Sequence, residues 1–177
     1  GSEVGSHIVS GCVMNPRGLD ELIPNWRELG FPVTTEVKKD KIVYFTKSKQ
    51  YKLPLPSDWS NYGNYIISLS QLCRKLAEYA ENLGVEIYPG FAAKSALIED
   101  GVLKGILTGD MGLARDGTPS ANYQPGIEIR AKQTILAEGC RGSVSKQLIE
   151  YFKLNADSQA QTYGLGIKEI WRVDPKK

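Results

Sequence analysis

The sequence predicts a mixed α/β fold of the α+β type that carries an inserted antiparallel sheet. Residues 69–83 repeat apolar side chains at helical spacing and form one continuous apolar stripe. Asp100-Gly101 lies between two apolar, strand-like runs, which is a strong hairpin signal. Residues 127–139 first alternate and then become fully apolar at Ile135-Leu136-Ala137, as in a strand that is covered on both faces.

The N-terminal half predicts a short helix, a hairpin and the long amphipathic helix. The predicted elements are, in order, a helix from Asn15-Pro16 to Pro24, strands 36–46 and 50–55 across a polar turn at 47–49, an aromatic-rich loop 57–65 and the helix 69–83. Ser68 and Gln71 form a capping-box pattern before the long helix, and Gly84 takes the position expected after its last turn.

Short strands predominate in the C-terminal half. The predicted elements are, in order, strands 85–88, 94–99 and 102–108, an excursion 109–126, the strand 127–139, a helix 143–153, a loop 154–161 and a strand 162–171. The chain stops just after the last strand, with nothing to close that strand's sheet. We therefore interpret the sequence as part of a longer protein.

Composition excludes several classes of function. The 177 residues are 41% apolar and 24% charged with a net charge of +2, which gives no strong attraction to nucleic acid. Cys12, Cys73 and Cys140 form no CxxC pair, so a disulfide scaffold is not predicted and a reducing compartment is favoured. His7 is the one histidine, and no metal site is predicted. No signal peptide is visible, and no apolar run approaches the ~18 residues that a membrane span requires.

The joint between residues 127–139 and the helix 143–153 has a composition typical of nucleotide-cofactor sites. Gly139 and Gly142 let the backbone approach a bulky group, and a helix that begins there offers free N–H groups. An ordinary strand–turn–helix joint has the same composition, because glycine is common at such turns. No GxGxxG motif followed by a helix occurs in the chain. The joint alone leaves both interpretations open.

Longer stretches are more specific than the joint. Six of them cover most of the chain: GSEVGSHIVSG, NPRGLDELIPNW, GNYIISLSQLCRKLAEYAENLGVEIYPGFAA, GVLKGILTGDMGLARDG, TILAEGCRGSVSKQL and QTYGLGIKEIW. Through these stretches, in the same order, the chain resembles the electron transfer flavoprotein–ubiquinone oxidoreductase family. The resemblance implies a partial two-dinucleotide-binding FAD domain of the glutathione-reductase/hydroxylase type, without its N-terminal GxGxxG βαβ unit.

The resemblance also implies an activity and its partners. A complete member of the family joins a flavin domain, a quinone-binding domain and a C-terminal 4Fe–4S domain, and passes electrons from reduced electron transfer flavoprotein to ubiquinone. Because FAD and the cluster carry the electrons, no catalytic acid or base is assigned. The cluster ligands are not expected in this chain. The implied location is peripheral, on the matrix side of the mitochondrial inner membrane or on a bacterial inner membrane.

Cofactor-contacting residues are carried over by matching position. Gly5, Ser6, His7, Ser10 and Gly11 are expected beside the flavin, Phe91, Ala92 and Ala93 at the adenine edge, and Ala137, Gly139 and Gly142 beside the adenosine–pyrophosphate half. His7 either donates to the flavin or braces its loop. Glu138 and Arg141 are interpreted as a partly exposed salt bridge that closes the joint.

Two domains are expected to share the chain. Segments 1–24, 66–110 and 126–153 are assigned to the FAD domain, and segments 25–65 and 155–177 to a quinone-side sheet domain. The match is weakest at 53–65, where the family has a longer, more apolar proline-rich loop near the quinone and the membrane. There, Trp59, Tyr62 and Tyr65 either lie at a lipid interface or form an aromatic plug over the hairpin.

Two alternatives accompany this interpretation. A FixC-like or geranylgeranyl-reductase-like flavoprotein dehydrogenase is a related enzyme, although the stretch Gln161–Trp171 and the excursion at Met111-Gly112-Leu113 argue against the reductase. The chain by itself is also interpretable as a scaffold segment without activity, because it lacks the glycine-rich helix start that normally cradles the phosphates.

Overall fold

The computed structural model describes residues 2–167, 169, 172 and 174. They form two compact units, an N-terminal unit that extends to Gly90 and a C-terminal unit that begins at Phe91. Both units combine helix with antiparallel strands, so the predicted mixed α/β class is confirmed. Each unit is described by itself.

The N-terminal unit contains a three-stranded antiparallel sheet and a separate hairpin. Its elements are β1 Gly11–Met14, α1 Arg17–Leu22, β2 Thr35–Glu36, β3 Ile42–Phe45, β4 Gln50–Leu53, a 3₁₀ turn Ser57–Trp59, β5 Tyr65–Ser68 and α2 Leu69–Asn82. The sheet has the order β1–β5–β2, while β3 pairs with β4 in the predicted hairpin. Alternation along β5 buries Ile67 and leaves Ile66 54% exposed.

A single apolar cluster stabilises the N-terminal unit. It gathers side chains from α1, the loop after it, β5 and α2: Leu19, Ile23, Trp26, Phe31, Val33, Ile67 and Leu72. The indole N–H of buried Trp26 donates to Asp20 Oδ1 at 2.7 Å, and Arg27 donates to the same oxygen at 2.9 Å. These bonds hold the pKa of the Asp20 carboxyl below its usual range, the bond from Trp26 most of all. Tyr65 packs edge-on against Trp26 with ring centroids 6.0 Å apart.

The long helix α2 confirms the amphipathic stripe. It ends in a Schellman motif, because the Gly84 N–H donates to the Glu81 carbonyl at 2.9 Å and the Val85 N–H to the Ala80 carbonyl at 3.1 Å. Gly84 itself has φ +88°, the left-handed conformation that favours glycine. The helix α1 begins at Arg17, one residue later than predicted, and the Asn15 side chain still accepts from the Arg17 N–H at 2.9 Å.

The C-terminal unit is a three-stranded antiparallel sheet with one long hairpin attached and a helix beside it. Its elements are β6 Ala93–Glu99, β7 Val102–Thr108, β8 Met111–Leu113, β9 Pro119–Gln124, β10 Glu128–Arg130 and α3 Ser143–Phe152. The sheet order is β10–β7–β6, and β8 pairs with β9. Asp100 and Gly101 both have positive φ in the turn between β6 and β7, which confirms the predicted hairpin.

The predicted excursion 109–126 is closed at its base. The Thr108 N–H donates to the Ile127 carbonyl at 3.0 Å, and the Ile127 N–H returns a bond to Thr108 Oγ1 at 2.9 Å. Just inside this pair, Asp110 Oδ1 accepts from the Gly126 N–H at 2.8 Å. The excursion therefore leaves and rejoins the sheet at adjacent points.

Several predicted elements in the N-terminal unit are wrong or misplaced. Residues 36–46 do not form one strand, because the segment up to Glu36 pairs with β5 and a new strand begins only at Ile42. Residues 85–88 form no strand, because Val85 closes the end of α2 and nothing in the described chain pairs with this segment. The capping box is absent: Ser68 makes no side-chain bond to the helix backbone.

The predicted strand 127–139 is largely wrong. Only Glu128–Arg130 is a strand, paired with β7, and residues 134–139 are in no ladder of the described chain. Ile135 is 86% exposed, so it is not covered on both faces. Predicted strand 162–171 shows no regular structure at 162–167, and residues 168, 170 and 171 lie outside the described residues.

Candidate cofactor site

The predicted flavin loop of the N-terminal unit is a tight turn anchored on α2. The Ser6 hydroxyl donates to the Glu3 carbonyl at 3.0 Å, and the Ile8 N–H donates to the Gly5 carbonyl at 3.1 Å. Arg74, on α2, donates to the Val4 carbonyl at 3.3 Å and to the Glu3 carboxylate at 3.0 Å. Arg74 was not predicted to have this role, because nothing in the local sequence links it to a loop 70 residues earlier.

The glycines of this loop are required by the protein's own backbone. A Cβ at Gly5, whose φ is +78°, would lie 2.7 Å from the Ser70 carbonyl oxygen. A Cβ at Gly11 would lie 2.6 Å from the Ile67 carbonyl oxygen. His7 is exposed, and Ser10 is half-buried. Small size at positions 5 and 11 therefore has a packing cause that is independent of any ligand.

In the C-terminal unit, the predicted adenine-edge residues lie at the start of β6. Ala93 is the first residue of that strand and pairs with Thr108. The Ala92 carbonyl accepts from the Gly109 N–H at 2.9 Å, so one of the backbone groups expected to face adenine already has a protein partner. Phe91 is 43% exposed just before them.

The joint before α3 is built around Glu138. Its carboxylate accepts from the Val144 N–H at 3.2 Å, the Ser145 N–H at 2.7 Å and the Ser145 hydroxyl at 2.7 Å. The Ser145 hydroxyl, followed by the backbone N–H groups, holds the pKa of Glu138 below its usual value of 4.5. The Glu138 side chain thus caps the N-terminus of α3, although Glu138 lies four residues before Gly142 in the sequence.

Two sequence-based expectations at this joint are wrong for that reason. The N–H groups of Val144 and Ser145 are not free for a ligand, because Glu138 accepts from both. Glu138 also does not pair with Arg141, whose guanidinium instead lies 4.7 Å from the ring centroid of Tyr163. An acidic residue near a helix start was the available signal for a cap.

Glycine is favoured at the two positions of the joint for different reasons. Gly139 has φ +78° with open space around the position of a Cβ, so its backbone conformation alone favours glycine. Gly142 has an ordinary φ, but a Cβ there would lie 2.5 Å from Glu138 Cβ and 2.7 Å from Ser145 Oγ. Gly142 therefore makes room for the capping carboxylate, while Gly139 turns the chain.

A second unpredicted residue fixes α3 on the sheet. Gln147 donates through Nε2 to the Lys94 carbonyl at 2.9 Å and accepts from the Ala96 N–H at 3.2 Å. Its amide thereby pairs with the edge of β6 as a neighbouring backbone would. Val144 and Leu148, on the same helix, are buried beneath it.

The predicted contact residues fall into two groups. Those up to Ser10 lie on the loop before β1 and Gly11 is the first residue of β1, whereas those from Phe91 on lie at the start of β6 and at the α3 joint of the C-terminal unit. No group of metal-ligating side chains occurs in the part of the chain that the structure describes. Each group by itself presents small residues at a turn or at the start of a strand.

Comparison with known proteins gives a consistent result. No family model matches the chain. The electron transfer flavoprotein-ubiquinone oxidoreductase of Pseudomonas aeruginosa is 56% identical over 184 residues, which cover 100% of this chain and 33% of that protein. The mitochondrial proteins of the same name from Dictyostelium discoideum and Bos taurus are 53% and 45% identical, over 100% and 99% of this chain and 29% of each relative. The chain thus spans about a third of the length of the curated relatives it matches.

Proposed function

We propose that the chain is part of an electron transfer flavoprotein–ubiquinone oxidoreductase. Its whole length is homologous to proteins of this name, and it covers about a third of the length of each. The complete protein passes electrons from reduced electron transfer flavoprotein to ubiquinone, with FAD and a 4Fe–4S cluster as carriers. The observation that carries this proposal is identity of 44% to 56% sustained over nearly all of the chain. The cluster ligands are proposed to lie outside these 177 residues.

The proposed role of the chain is to form walls of the FAD site. The contact residues are Gly5, Ser6, His7, Ser10 and Gly11 in one unit and Phe91, Ala92, Ala93, Ala137, Gly139 and Gly142 in the other. Exposure of His7 and Ala137 and the open space around Gly139 support the proposal, because a flat ligand needs accessible, small surfaces. Gly5 and Gly11 support it less directly, since their packing already requires glycine.

We do not assign the FAD phosphates to the N-terminus of α3. A phosphate there would compete with the Glu138 carboxylate for the Val144 and Ser145 N–H groups and would meet its like charge. We propose that the pyrophosphate binds to the glycine-rich βαβ unit of the complete protein. The 177-residue chain alone is accordingly proposed to retain no FAD and to have no quinone reductase activity.

A chimaera tests the proposed function. This chain replaces the matching third of the Pseudomonas aeruginosa relative, and flavin content and ubiquinone reduction by reduced electron transfer flavoprotein are measured. The expected result is a yellow, active chimaera, and Gly139→Val in the same background is expected to lower flavin content. The matched control is Gly117→Val, at a glycine of similar φ in the β8–β9 turn with open space around it. A folded chimaera without flavin would contradict the proposal.

We also propose peripheral contact with an inner membrane, mitochondrial on the matrix side or bacterial, through residues 53–65. Trp59 is 65% exposed and Tyr62 74% exposed, which supports a lipid interface and not an aromatic plug. Tyr65 is excluded from this surface because it packs on Trp26 in the core. Among the described residues, no helix is both long and apolar enough to cross a membrane.

We also propose the division of the chain into FAD-domain segments 1–24, 66–110 and 126–153 and quinone-side segments 25–65 and 155–177.

A further inference from the structure

Strand β6 contains a bulge directly after the predicted adenine-edge residues. Its ladder with β7 shifts register between Ala93 and Ser95, so Lys94 is an extra residue of β6 without a partner in that ladder. A bulge bends its strand and leaves the backbone of the extra residue without ladder hydrogen bonds. The position of Ala92 and Ala93 therefore depends on what else holds Lys94.

The bulge is held by Gln147, on α3. Gln147 Nε2 donates to the Lys94 carbonyl at 2.9 Å, and Gln147 Oε1 accepts from the Ala96 N–H at 3.2 Å. One amide thus binds β6 on both sides of Ser95. It gives the carbonyl of the bulged residue the donor that the ladder does not supply.

Gln147 is itself tied to the glycine joint before α3. The Gly142 carbonyl accepts from the Lys146 N–H at 3.2 Å, and the Glu138 carboxylate accepts from the Ser145 N–H at 2.7 Å. Gln147 is the next residue of the same helix. The two groups of expected cofactor contacts in this unit, the start of β6 and the joint, are therefore linked through the Gln147 amide.

Packing of α3 on β6 does not by itself require this amide. Val144 is fully buried and Leu148 is 6% exposed, and these two side chains anchor the helix whatever residue stands at position 147. Gln147 is exposed, and hydrogen bonds that water can replace contribute little to the free energy of unfolding. What the amide adds is alignment, because its donor and its acceptor are satisfied together only in one position of the helix along the strand.

We propose that Gln147 is a positioning residue for the adenine half of FAD. By holding the bulge at Lys94, it fixes Ala92 and Ala93 relative to Gly139, and it does not need to touch the cofactor itself. Correct spacing of two binding segments before the ligand arrives increases affinity, because the ligand does not have to order them. This role rests on the proposed function in one respect, namely that FAD binds at both segments.

Ligand binding to the chimaera with the Pseudomonas aeruginosa relative tests the proposal. After FAD is removed, the dissociation constants of FAD and of ADP, which contains the adenine half alone, are measured by titration. Gln147→Leu keeps a similar size but lacks donor and acceptor, and it is expected to weaken both ligands by the same factor of about ten. The matched control Gln124→Leu makes the same chemical change at an exposed residue of β9 and is expected to leave both constants unchanged.

Three results would overturn the proposal. Weaker binding of FAD with unchanged binding of ADP would assign the effect to the flavin half. Unchanged binding of both ligands in Gln147→Leu, whatever its free energy of unfolding, would make Gln147 a structural contact only. Equal losses in Gln147→Leu and Gln124→Leu would show that the effect does not depend on the contact with β6.

Hydrogen exchange at Ala96 gives a second readout that needs no variant. The exchange of this amide in the unsubstituted chimaera is followed with and without ADP. Because coupling between two sites is reciprocal, ADP is expected to slow exchange of the Ala96 N–H, which donates to Gln147. Exchange that does not respond to ADP would contradict the proposal even if Gln147→Leu fails to fold.

The role of Gln147 and the proposed function fail in different ways. A folded chimaera that binds neither FAD nor ADP would refute the proposed function, and the role of Gln147 with it. A chimaera that binds both ligands, with unchanged affinities in Gln147→Leu, would refute the role of Gln147 alone.

Discussion

Helix α2 directly follows β5 and helix α3 follows a turn at residues 139–142, and their N-termini are covered in different ways. At α2, Ser68 makes no capping bond, its hydroxyl lies 3.2 Å from that of Ser70, and the backbone at Gly5 packs against Ser70. At α3, one carboxylate accepts from two backbone N–H groups and a hydroxyl. The capping-box pattern of Ser68 and Gln71 therefore predicted a side-chain cap at α2, where none forms, whereas the capped helix is α3. Glu138, which lies four residues before Gly142 and is brought back by the turn at Gly139, caps α3.

The largest expected effect is that of Gly142→Ala. The new Cβ would meet Glu138 Cβ at 2.5 Å, and overpacking of this kind costs about 2 kcal/mol of the free energy of unfolding. Gly139→Ala is the matched control, because it has open space and loses only about 1 kcal/mol through its positive φ. Urea unfolding of both variants measures the difference. Equal losses would show that Glu138 does not need the space at Gly142.

Removal of the cap itself is expected to have the next largest effect. Glu138→Ala leaves the Val144 and Ser145 N–H groups without their acceptor, so hydrogen exchange of these amides is expected to accelerate. Glu138→Gln keeps one acceptor oxygen and is expected to accelerate them less. Glu150→Ala, on an exposed position of the same helix, serves as the control. Unchanged exchange in Glu138→Ala would place the cap elsewhere.

The pH dependence of α3 is expected to follow Glu138. Because the pKa of this carboxyl is lower in the folded chain than its usual 4.5, its stabilising effect is complete above that value. The effect is lost as the pH falls through the lower, folded pKa. Asp110, Asp116 and Glu99 of the same unit also have lowered pKa values. The quantity to measure is therefore the difference in acid unfolding between the unsubstituted chain and Glu138→Gln.

The smallest expected effect is that of Ser68→Ala. Since Ser68 makes no bond to the backbone of α2, the free energy of unfolding is expected to change by no more than about 0.5 kcal/mol. A true N-cap serine would lose about 1 kcal/mol. Thermal and urea unfolding distinguish these values, and the larger loss would restore the capping box that the sequence predicts.

Elements with a local cause were predictable from the sequence. The stripe of α2, the turn at Asp100-Gly101, the β3–β4 hairpin and the start of α3 each depend on residues close together in the chain. Pairings across long separations were not predictable. Thr35 pairs with Ile66, and the apolar run at Ile135 finds no neighbouring strand in the described chain, although its composition is that of a strand.

At the candidate site, the sequence predicted which glycines matter but not why glycine is needed at each position. Gly139 and Gly142 were both expected to make room for a cofactor, yet one serves the backbone conformation and the other serves Glu138. Arg74 and Gln147 were missed because each acts on a segment far away in the sequence. Resemblance supplied the family and the expected cofactor, and the structure assigned a local cause to Gly5, Gly11, Gly139 and Gly142.

The closed base of the β8–β9 excursion gives the C-terminal unit tolerance to backbone cleavage. The bonds of Thr108 with Ile127 and of Asp110 with Gly126 join the two stems independently of what lies beyond them. A protease that cleaves the exposed turn at Asp116-Gly117 would leave two fragments that these hydrogen bonds still hold together in the sheet. The nick would separate the two fragments on a denaturing gel while they stay associated under native conditions, which makes this tip a natural place to attach a reporter dye.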